Sequence, residues 1–153
     1  MGRIIKLTFR DYSNILEKLS KTLQKSKYSP DVIIGVFRGG LPTALYFSHY
    51  FNAPLGILKV IAHKSNVPFS ERKLEKPKVL YLPRINGKRV LIVEDTVGTG
   101  KTMSSVLRII KPKKPKTIKT LALFTEINKN TPDFYHKIIK SDEWVVFPWE
   151  KKK

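Results

Sequence analysis

Apolar residues recur along this chain with two different spacings, which alternate from the N-terminus to residue 125. Apolar positions at helical spacing run from Phe9 to about residue 25, after a capping pattern that begins at Thr8. Residues 31–37 instead form a continuous β-branched run, which is typical of a strand covered on both faces. The same criteria predict, in chain order, a helix over 41–51, strands over 55–61, 78–82 and 89–94, a helix over 99–110 and a strand over 117–125.

Two short apolar segments, 134–139 and 144–147, follow the last of these strands. No internal repeat or long linker divides the chain, so we expect one domain over residues 1–153. Strands that alternate with helices predict an α/β fold, with a mostly parallel sheet of about five strands and helices on both sides. Ligands of such sheets bind beyond the carboxyl ends of the strands.

The composition supports a folded protein and bears on its compartment. Apolar residues make up 41% of the chain, which argues against disorder, and no apolar run approaches the roughly 20 residues of a membrane span. The first residues lack the apolar stretch of a secretory signal, and there is no cysteine for disulfide or thiolate chemistry. We therefore expect a cytoplasmic protein with no membrane partner.

The charge is extreme, with 30 Lys and Arg against 12 Asp and Glu and a formal net charge of +18. Such a field suits a nucleic-acid binder or an enzyme for polyanionic small molecules, and it also fits a surface that is merely rich in lysine. The lysines are spread along the chain. The one dense run, 111–116, contains prolines, which indicates a solvated connector rather than a recognition helix. A nucleic-acid partner is therefore not expected.

Residues 90–102 carry the most specific chemical pattern, a buried strand that ends in two acids and is followed by a small-residue loop and a helix. Gly98 and Gly100 let backbone N–H groups approach a phosphate closely, and the start of the helix adds its dipole. The threonine hydroxyls of the loop can donate hydrogen bonds. Glu94 and Asp95 can accept hydrogen bonds from sugar hydroxyls or hold Mg²⁺ through water. The pattern therefore suits a phosphorylated sugar.

Two other interpretations of this stretch compete. Residues 100–102 match the end of a Walker A loop, but that pattern needs glycine where Asp95 stands, and a carboxylate there would repel a phosphate. The stretch can also be an ordinary strand, turn and helix with exposed acids. Paired acids at the end of a buried strand are costly unless they are used, which argues against that interpretation.

The stretch resembles the signature with which type I phosphoribosyltransferases bind phosphoribosyl pyrophosphate (PRPP): a hydrophobic strand, two acids, two variable residues, a small residue, Thr-Gly and a hydroxyl residue. The resemblance implies the α/β fold of that family, with a small C-terminal hood formed mainly by residues 126–150. It implies that Glu94 and Asp95 face the ribose hydroxyls as catalytic residues, and that Mg²⁺ travels with PRPP near them. The residues it assigns to the 5′-phosphate are Thr96, Val97, Gly98, Thr99, Gly100, Lys101 and Thr102.

Residues 35–42 resemble the pyrophosphate loop of the same family. By this resemblance Arg38, as a catalytic residue, and the backbone of Gly39 meet the leaving group, at a peptide that is often strained or cis. The family also has a mobile loop that closes over PRPP, and residues 62–77 are its counterpart here. The basic residues that can reach phosphates from it, or that can equally be solvated surface charges, are Lys64, Arg72 and Lys73.

Residues 142–150 resemble the end of the short xanthine–guanine phosphoribosyltransferases, which finish on a Trp-x-x-x-Pro-Trp-acid pattern. The resemblance assigns purine stacking to Trp144 and a backbone contact with the base to Val145. We expect Phe147 and Trp149 to belong to the core. The resemblance spans nearly the whole chain and also implies a homodimer.

Two positions depart from the 6-oxopurine enzymes of the family, in which an Asp that manages the purine N7 proton precedes Thr-Gly and a Lys after the next strand donates to O6. Gly98 and Glu126 stand at these positions. A carboxylate only accepts hydrogen bonds, and adenine offers an amino group, so adenine is the expected base. Lys129 supplies the missing donor if the loop is shifted, and Glu126 can also be an exposed strand-end acid. The general base is Glu126, or there is no protein base.

We therefore expect a purine-salvage transferase that moves 5-phosphoribosyl from PRPP to a purine, giving a nucleoside monophosphate and pyrophosphate. A 6-oxopurine enzyme with the same chemistry is the first alternative. An alternative of another class is a non-catalytic, PRPP-sensing regulator that binds nucleic acid. The predicted domain takes up all of the given residues, and we expect no separate DNA-binding segment among them, which argues against the regulator.

Overall fold

The computed structural model describes residues 2–61 and 74–150. Three α-helices and eight β-strands form the described part of the chain, and a single 3₁₀ turn at Lys111–Lys113 follows the last helix. In chain order the elements are β1 (Ile4–Lys6), α1 (Phe9–Ser26), β2 (Val32–Phe37), α2 (Leu41–Phe51), β3 (Leu55–Lys59), β4 (Lys78–Tyr81), β5 (Arg89–Val97), α3 (Lys101–Ile110), β6 (Thr117–Thr125), β7 (Phe134–Ile138) and β8 (Trp144–Val146).

The main sheet has six strands in the order β4-β3-β2-β5-β6-β7. Every neighbouring pair is parallel except β3 and β4, so the sheet is mixed at one edge. This confirms an α/β fold with a mostly parallel sheet, with one strand more than the count of about five that the sequence indicates. The additional pairing is made by the C-terminal segment β7, which lies parallel to β6.

The N-terminus and the C-terminus meet in a second, two-stranded sheet. Residues 4–6 pair in parallel with β8, and Trp144 donates its backbone N–H to the carbonyl of Arg3 at 2.9 Å. A three-residue strand has too few positions to show an alternating pattern, so the sequence does not predict β1. This pairing places the C-terminal residues beside the start of α1.

Helix α1 begins with the predicted capping box. The Thr8 hydroxyl accepts a hydrogen bond from the Asp11 N–H at 3.1 Å, and the Asp11 carboxylate accepts one from the Thr8 N–H at 2.8 Å. The helix ends at Lys27, which has a left-handed backbone with φ 58°. The side chains that it buries are Tyr12, Ile15, Leu16, Leu19, Ser20 and Leu23.

The sheet is covered on both faces, as its continuous apolar strands predict. Leu91 and Val93 of β5 lie in a core cluster with α1 and α2, whereas Val90 and Ile92 lie in a second cluster with α3. Successive side chains of a strand point to opposite faces, which explains the division. No helix in residues 2–61 and 74–150 is long and apolar enough to cross a membrane.

Strand β5 is longer than the pattern of apolar residues indicates. We predicted that it ends at Glu94, but its ladder with β6 continues through Thr96, which pairs with Phe124, and Val97, which pairs with Thr125. The two acids therefore lie inside the strand. The cause is the partner strand, whose buried run extends to Thr125 and carries the pairing past the polar residues of β5.

Candidate active site

Three loops meet at the edge where the parallel strands end, because the carboxyl ends of parallel strands lie on the same side of a sheet. We call them the β2 exit loop (residues 38–40), the β5 exit loop (98–100) and the β6 exit loop (126–133). The predicted closing loop falls largely outside the described residues, since residues 62–73, including Lys64, Arg72 and Lys73, are not among them.

The β2 exit loop lies directly against the end of β5. A Cβ atom on Gly39 would overlap the carboxyl group of Asp95, and one on Gly40 would overlap the carbonyl of Val93. Only glycine allows so close an approach of two backbones. The structure therefore brings the predicted pyrophosphate loop and the acidic pair together. The peptide bond between Phe37 and Arg38 is cis.

Glu94 is a buried carboxyl group in this region. Its side chain is 7% exposed, and its Oε2 atom has no hydrogen-bond partner among the described residues. Burial, with a smaller contribution from Asp95, raises the pKa of Glu94 to about 8. A buried oxygen without a partner is costly, so this atom indicates that a donor or a cation completes the site.

Asp95 is partly buried and has a different environment. Burial raises its pKa, and the nearby charge of Glu150 acts in the same direction. The backbone N–H of Thr96, which donates to Asp95 Oδ1 at 2.6 Å, opposes these effects. Glu94 and Asp95 are adjacent in a strand, so they point to opposite faces and contact different parts of the site.

The β5 exit loop presents backbone rather than side chains. Gly100 has φ 78°, a left-handed conformation that favours glycine, and it caps α3 without any side-chain hydrogen bond. Thr99 Oγ1 accepts only a long hydrogen bond of 3.4 Å from the Lys101 N–H. The N-terminus of α3 therefore offers backbone donors and its dipole, which suit a phosphate. We predicted that this helix begins at Thr99, but it begins at Lys101, because Gly98 and Gly100 belong to the turn.

The β6 exit loop folds back over the β5 exit loop. Glu126 donates its backbone N–H to the carbonyl of Val97 at 2.8 Å, and the Asn128 side-chain amide donates to the carbonyl of Gly98. The side chain of Asn130 fills the space that a Cβ on Gly100 would need. Neither asparagine is predicted as a site residue from the sequence. The signal that was present is a cluster of small polar residues immediately after a buried strand.

The Glu126 carboxyl group lies beside Gly98. Its Oε1 atom is 3.4 Å from the point that a Cβ on Gly98 would occupy, and among the described residues, the chain neighbours of Gly98 aside, no other atom lies within 4 Å of that point. Glu126 itself is half-buried. The two positions at which the chain departs from the 6-oxopurine pattern are therefore neighbours in space.

The end of the C-terminal segment comes near the acidic pair, where the charge of Glu150 acts on Asp95. Trp144 is 56% exposed and pairs with Ile4, while the side chain of Val145 is buried in the core. Phe147 is buried as expected, but Trp149, which we also expected in the core, is 38% exposed. The Trp149 ring stacks on the Phe147 ring, with 5.3 Å between the ring centroids, and meets the Tyr12 ring edge-on, with 4.9 Å between the centroids. These contacts cover only part of the ring.

The family model for the phosphoribosyl transferase domain matches residues 9–152, which is nearly the whole chain. The chain belongs to the phosphoribosyltransferase family. The structure is similar to that of the purine phosphoribosyltransferase from Pyrococcus horikoshii, with 32% sequence identity, a TM-score of 0.83, and coverage of 98% of this chain and 96% of that chain. The acidic pair and the two glycine loops thus lie in a known phosphoribosyltransferase framework.

Two curated relatives match parts of the phosphoribosyltransferase chain. The bovine hypoxanthine-guanine phosphoribosyltransferase (Bos taurus) is 47% identical over 51 residues, which are 33% of this chain and 22% of the relative. The orotate phosphoribosyltransferase of Sulfurisphaera tokodaii is 26% identical over 122 residues, which are 76% of this chain and 57% of the relative. The chain therefore spans less than two thirds of the length of either of these relatives.

Proposed function

We propose that this phosphoribosyltransferase moves the 5-phosphoribosyl group of PRPP to a purine base and releases pyrophosphate. The observation that carries the proposal is the end of β5, where Glu94 and Asp95 lie between two glycine loops. One loop packs against the Asp95 carboxyl group, and the other begins a helix that no side chain caps. A ligand with a sugar between two phosphate groups matches this order of chemical groups.

Each part of PRPP has a counterpart among these residues. Backbone N–H groups and hydroxyls of residues 96–102 bind the 5′-phosphate. Glu94 and Asp95 accept hydrogen bonds from the ribose hydroxyls, which supplies the partner that Glu94 Oε2 lacks. Arg38 and the backbone of Gly39 neutralise the charge that develops on the leaving pyrophosphate. A chain with a net charge of +18 also attracts so anionic a substrate.

Mg²⁺ is the ion that we expect to accompany PRPP. Glu94 and Asp95 fit this role, because a buried carboxylate oxygen without a partner is a suitable ligand for a hard cation or for its bound water. The described residues contain no group of three or more His, Cys, Asp or Glu side chains placed to hold a metal ion, so phosphates and water would supply most of the ligands. When bound, the ion neutralises charge on the pyrophosphate.

The purine is proposed to lie between Trp144 and the β6 exit loop, under a hood formed by residues 126–150. The exposed Trp144 ring offers a stacking surface, and backbone groups of Val145 meet the edge of the base. Adenine is the first candidate, because the Glu126 carboxylate can accept hydrogen bonds from its amino group. A 6-oxopurine is the second candidate. It is favoured by the 47% identity with the hypoxanthine-guanine enzyme over a third of the chain.

The decisive experiment is a pyrophosphate-release assay with PRPP and Mg²⁺, in which adenine, guanine, hypoxanthine and xanthine are offered separately. We expect turnover with at least one purine. A preference for adenine that Glu126→Lys shifts towards a 6-oxopurine would support Glu126 as the residue that recognises the adenine amino group. A wild-type preference for guanine or hypoxanthine would reject adenine as the substrate but would still support the proposed transferase activity.

The assay also separates the enzyme from a regulator. No turnover with any base, together with measurable PRPP binding and salt-sensitive binding of DNA, would reject the transferase and favour the regulator. Light scattering of the same sample tests the homodimer, which is expected from the family.

A further inference from the structure

We propose that Glu126 is a catalytic residue that accepts the imidazole proton of the purine during transfer, from a carboxyl group placed at the vacant side-chain position of Gly98. This inference rests on the proposed function, because it concerns the base that enters the site. It concerns a different step from base recognition, and it applies to any purine with a proton on the imidazole ring.

Hydrogen bonds hold the backbone of Glu126 and the turn that follows it. The Glu126 backbone N–H donates to Val97 at 2.8 Å, and the Thr125 hydroxyl donates to the Glu126 carbonyl at 2.8 Å. Asn128 ties the next turn of the loop to the carbonyl of Gly98. From this backbone the Glu126 Oε1 atom lies 3.4 Å from the Cβ position of Gly98, at the rim of the loop that we assign to the 5′-phosphate.

Nucleotide geometry places the base next to that rim. In a β-nucleotide the base and the 5′-phosphate group leave the ribose ring on the same face. A carboxyl group beside the phosphate loop therefore lies near the base rather than near the pyrophosphate, which leaves from the opposite face. The β2 exit loop, which packs against Asp95 instead, is on the pyrophosphate side of the acidic pair.

The other carboxyl groups of the region are less suited to this step. Glu94 is buried inside β5, whose ladder with β6 continues past it to Val97. Asp95 lies against Gly39, on the pyrophosphate side. Glu150 accepts a hydrogen bond from the Phe147 N–H at 2.8 Å, which closes the C-terminal turn. Glu126 is the half-buried acid that remains beside the phosphate loop.

The chemistry requires an acceptor of this kind. A neutral purine carries one proton on its imidazole ring. As N9 attacks C1′ of PRPP, the C1′–O bond breaks and its electron pair leaves with the pyrophosphate. The proton on N7 then passes to the Glu126 carboxylate, and the product base is neutral. Glu126 afterwards releases the proton to water, so no oxidant, reductant or further reactant is needed. A positioned acid or base of this kind contributes roughly 10²–10⁴-fold to a rate.

Glutamine at position 126 separates proton transfer from base recognition. Its side-chain oxygen can still accept a hydrogen bond from an amino group, but it cannot take up a proton. In Glu126→Gln we expect kcat to fall about 100-fold or more, while KM for the base and the dissociation constant of PRPP change less than about threefold. Glu17→Gln, on the exposed face of α1, is the control and is expected to match the wild type.

A carboxyl group moved to position 98 provides the rescue. The backbone of Gly98 does not have positive φ, and within residues 2–61 and 74–150 a Cβ there meets only Glu126 Oε1, so an aspartate can be accommodated. The double variant, Gly98→Asp with Glu126→Gln, is expected to have a kcat at least about tenfold higher than that of Glu126→Gln alone. A kcat of Glu126→Gln close to that of the wild type, or a double variant no faster than Glu126→Gln, would overturn the inference. A wild type that turns over no purine would instead reject the proposed function.

Discussion

The β5 and β6 exit loops leave neighbouring parallel strands at the same edge of the sheet, yet they are built in opposite ways. The β5 exit loop presents backbone, with Gly100 at φ 78° and no side chain that caps the following helix. The β6 exit loop is held by its side chains: Asn128 accepts a hydrogen bond from the Asn130 N–H at 2.7 Å, and the Thr131 hydroxyl accepts one from the Asn128 N–H at 3.0 Å.

The contrast corresponds to what each loop is proposed to bind. A phosphate group offers the same oxygens in every nucleotide, so backbone N–H groups and a helix dipole are sufficient for it. Purines differ only in the donors and acceptors along one edge, so a loop that meets the base needs side chains held in place by other side chains. Variants of each loop should therefore impair the use of different substrates.

The largest expected effect is at the acidic pair at the end of β5. Asp95→Asn should lower kcat/KM on the order of 10²–10³-fold, because an amide cannot replace the charged acceptor for a ribose hydroxyl. Pyrophosphate release measures it. Asp142→Asn, an exposed acid of the C-terminal segment, is the control and should behave as the wild type. A loss of less than about fivefold in Asp95→Asn would remove Asp95 from the catalytic residues.

The second effect is on the stability of the ligand-free protein. The pKa of Glu94 is raised from its ordinary value of 4.5 to about 8, so the stability associated with its protonated form is complete below pH 4.5 and is lost as the pH rises through 8. Glu94→Gln should flatten this decline and be more stable than the wild type at high pH, on the order of 2 kcal/mol. Chemical denaturation at several pH values in this range measures how the free energy of unfolding declines with pH in the wild type and in Glu94→Gln.

Asp31 provides the matched control for this titration. Hydrogen bonds from Arg89 lower the pKa of Asp31 to about 2, so its contribution to stability is lost only as the pH falls from its ordinary value of 3.8 towards 2. Asp31→Asn should therefore leave the decline between pH 4.5 and 8 unchanged. Glu94→Gln with an unaltered decline would show that Glu94 is ionised in the folded protein.

The third effect tests the backbone of the β5 exit loop. In Gly100→Ala, left-handed φ costs roughly 1–2 kcal/mol, and the new Cβ meets Asn130, so we expect KM for PRPP to rise about tenfold with a smaller change in KM for the base. Gly87→Ala is the control, because Gly87 has φ 69° but no atom within 4 Å of a Cβ. Gly87→Ala should lower the stability of the protein without changing KM for PRPP. Equal changes in both Michaelis constants would contradict the division between the loops.

The smallest effect tests the side chains of the β6 exit loop. Asn128→Ala removes the hydrogen bond to the carbonyl of Gly98, at a cost of about 1 kcal/mol, and should raise KM for the base about fivefold. PRPP binding, followed by calorimetry, should change little. Asn86→Ala, in the turn before β5, is the control. A loss of PRPP affinity as large as that in Gly100→Ala would show that the two loops act as one unit.

Much of the fold could be predicted from the sequence, because the apolar periodicity is strong where strands are buried on both faces. Helix α2 and strand β6 have the predicted bounds, and the capping box of α1 is present. The extension of β5 to Val97 and the pairing of β1 with β8 could not be predicted in this way. Both depend on a partner strand that is distant in the sequence.

Of the candidate site, the acidic pair and the glycines are predicted from the sequence, since the proposed phosphate loop needs those residue types at fixed spacing. The sequence did not identify Asn128 or Asn130, whose hydrogen bonds to the β5 exit loop and to Ser104 of α3 form only when β5 and β6 are adjacent. The sequence also predicted Trp149 in the core, whereas in the fold its ring is partly exposed.

The amino-acid sequence by itself determined the succession of strands and helices along the chain and the family, and it predicted the residues proposed to meet the phosphates, because these properties depend on local spacing. Only the tertiary structure brought the Glu126 carboxyl group to the vacant position of Gly98 and left Glu94 Oε2 buried with no hydrogen-bond partner in the described part of the chain. Proximity between residues 28 positions apart and the burial of one carboxyl oxygen are set by how the strands pack together, and no local pattern of residues encodes them.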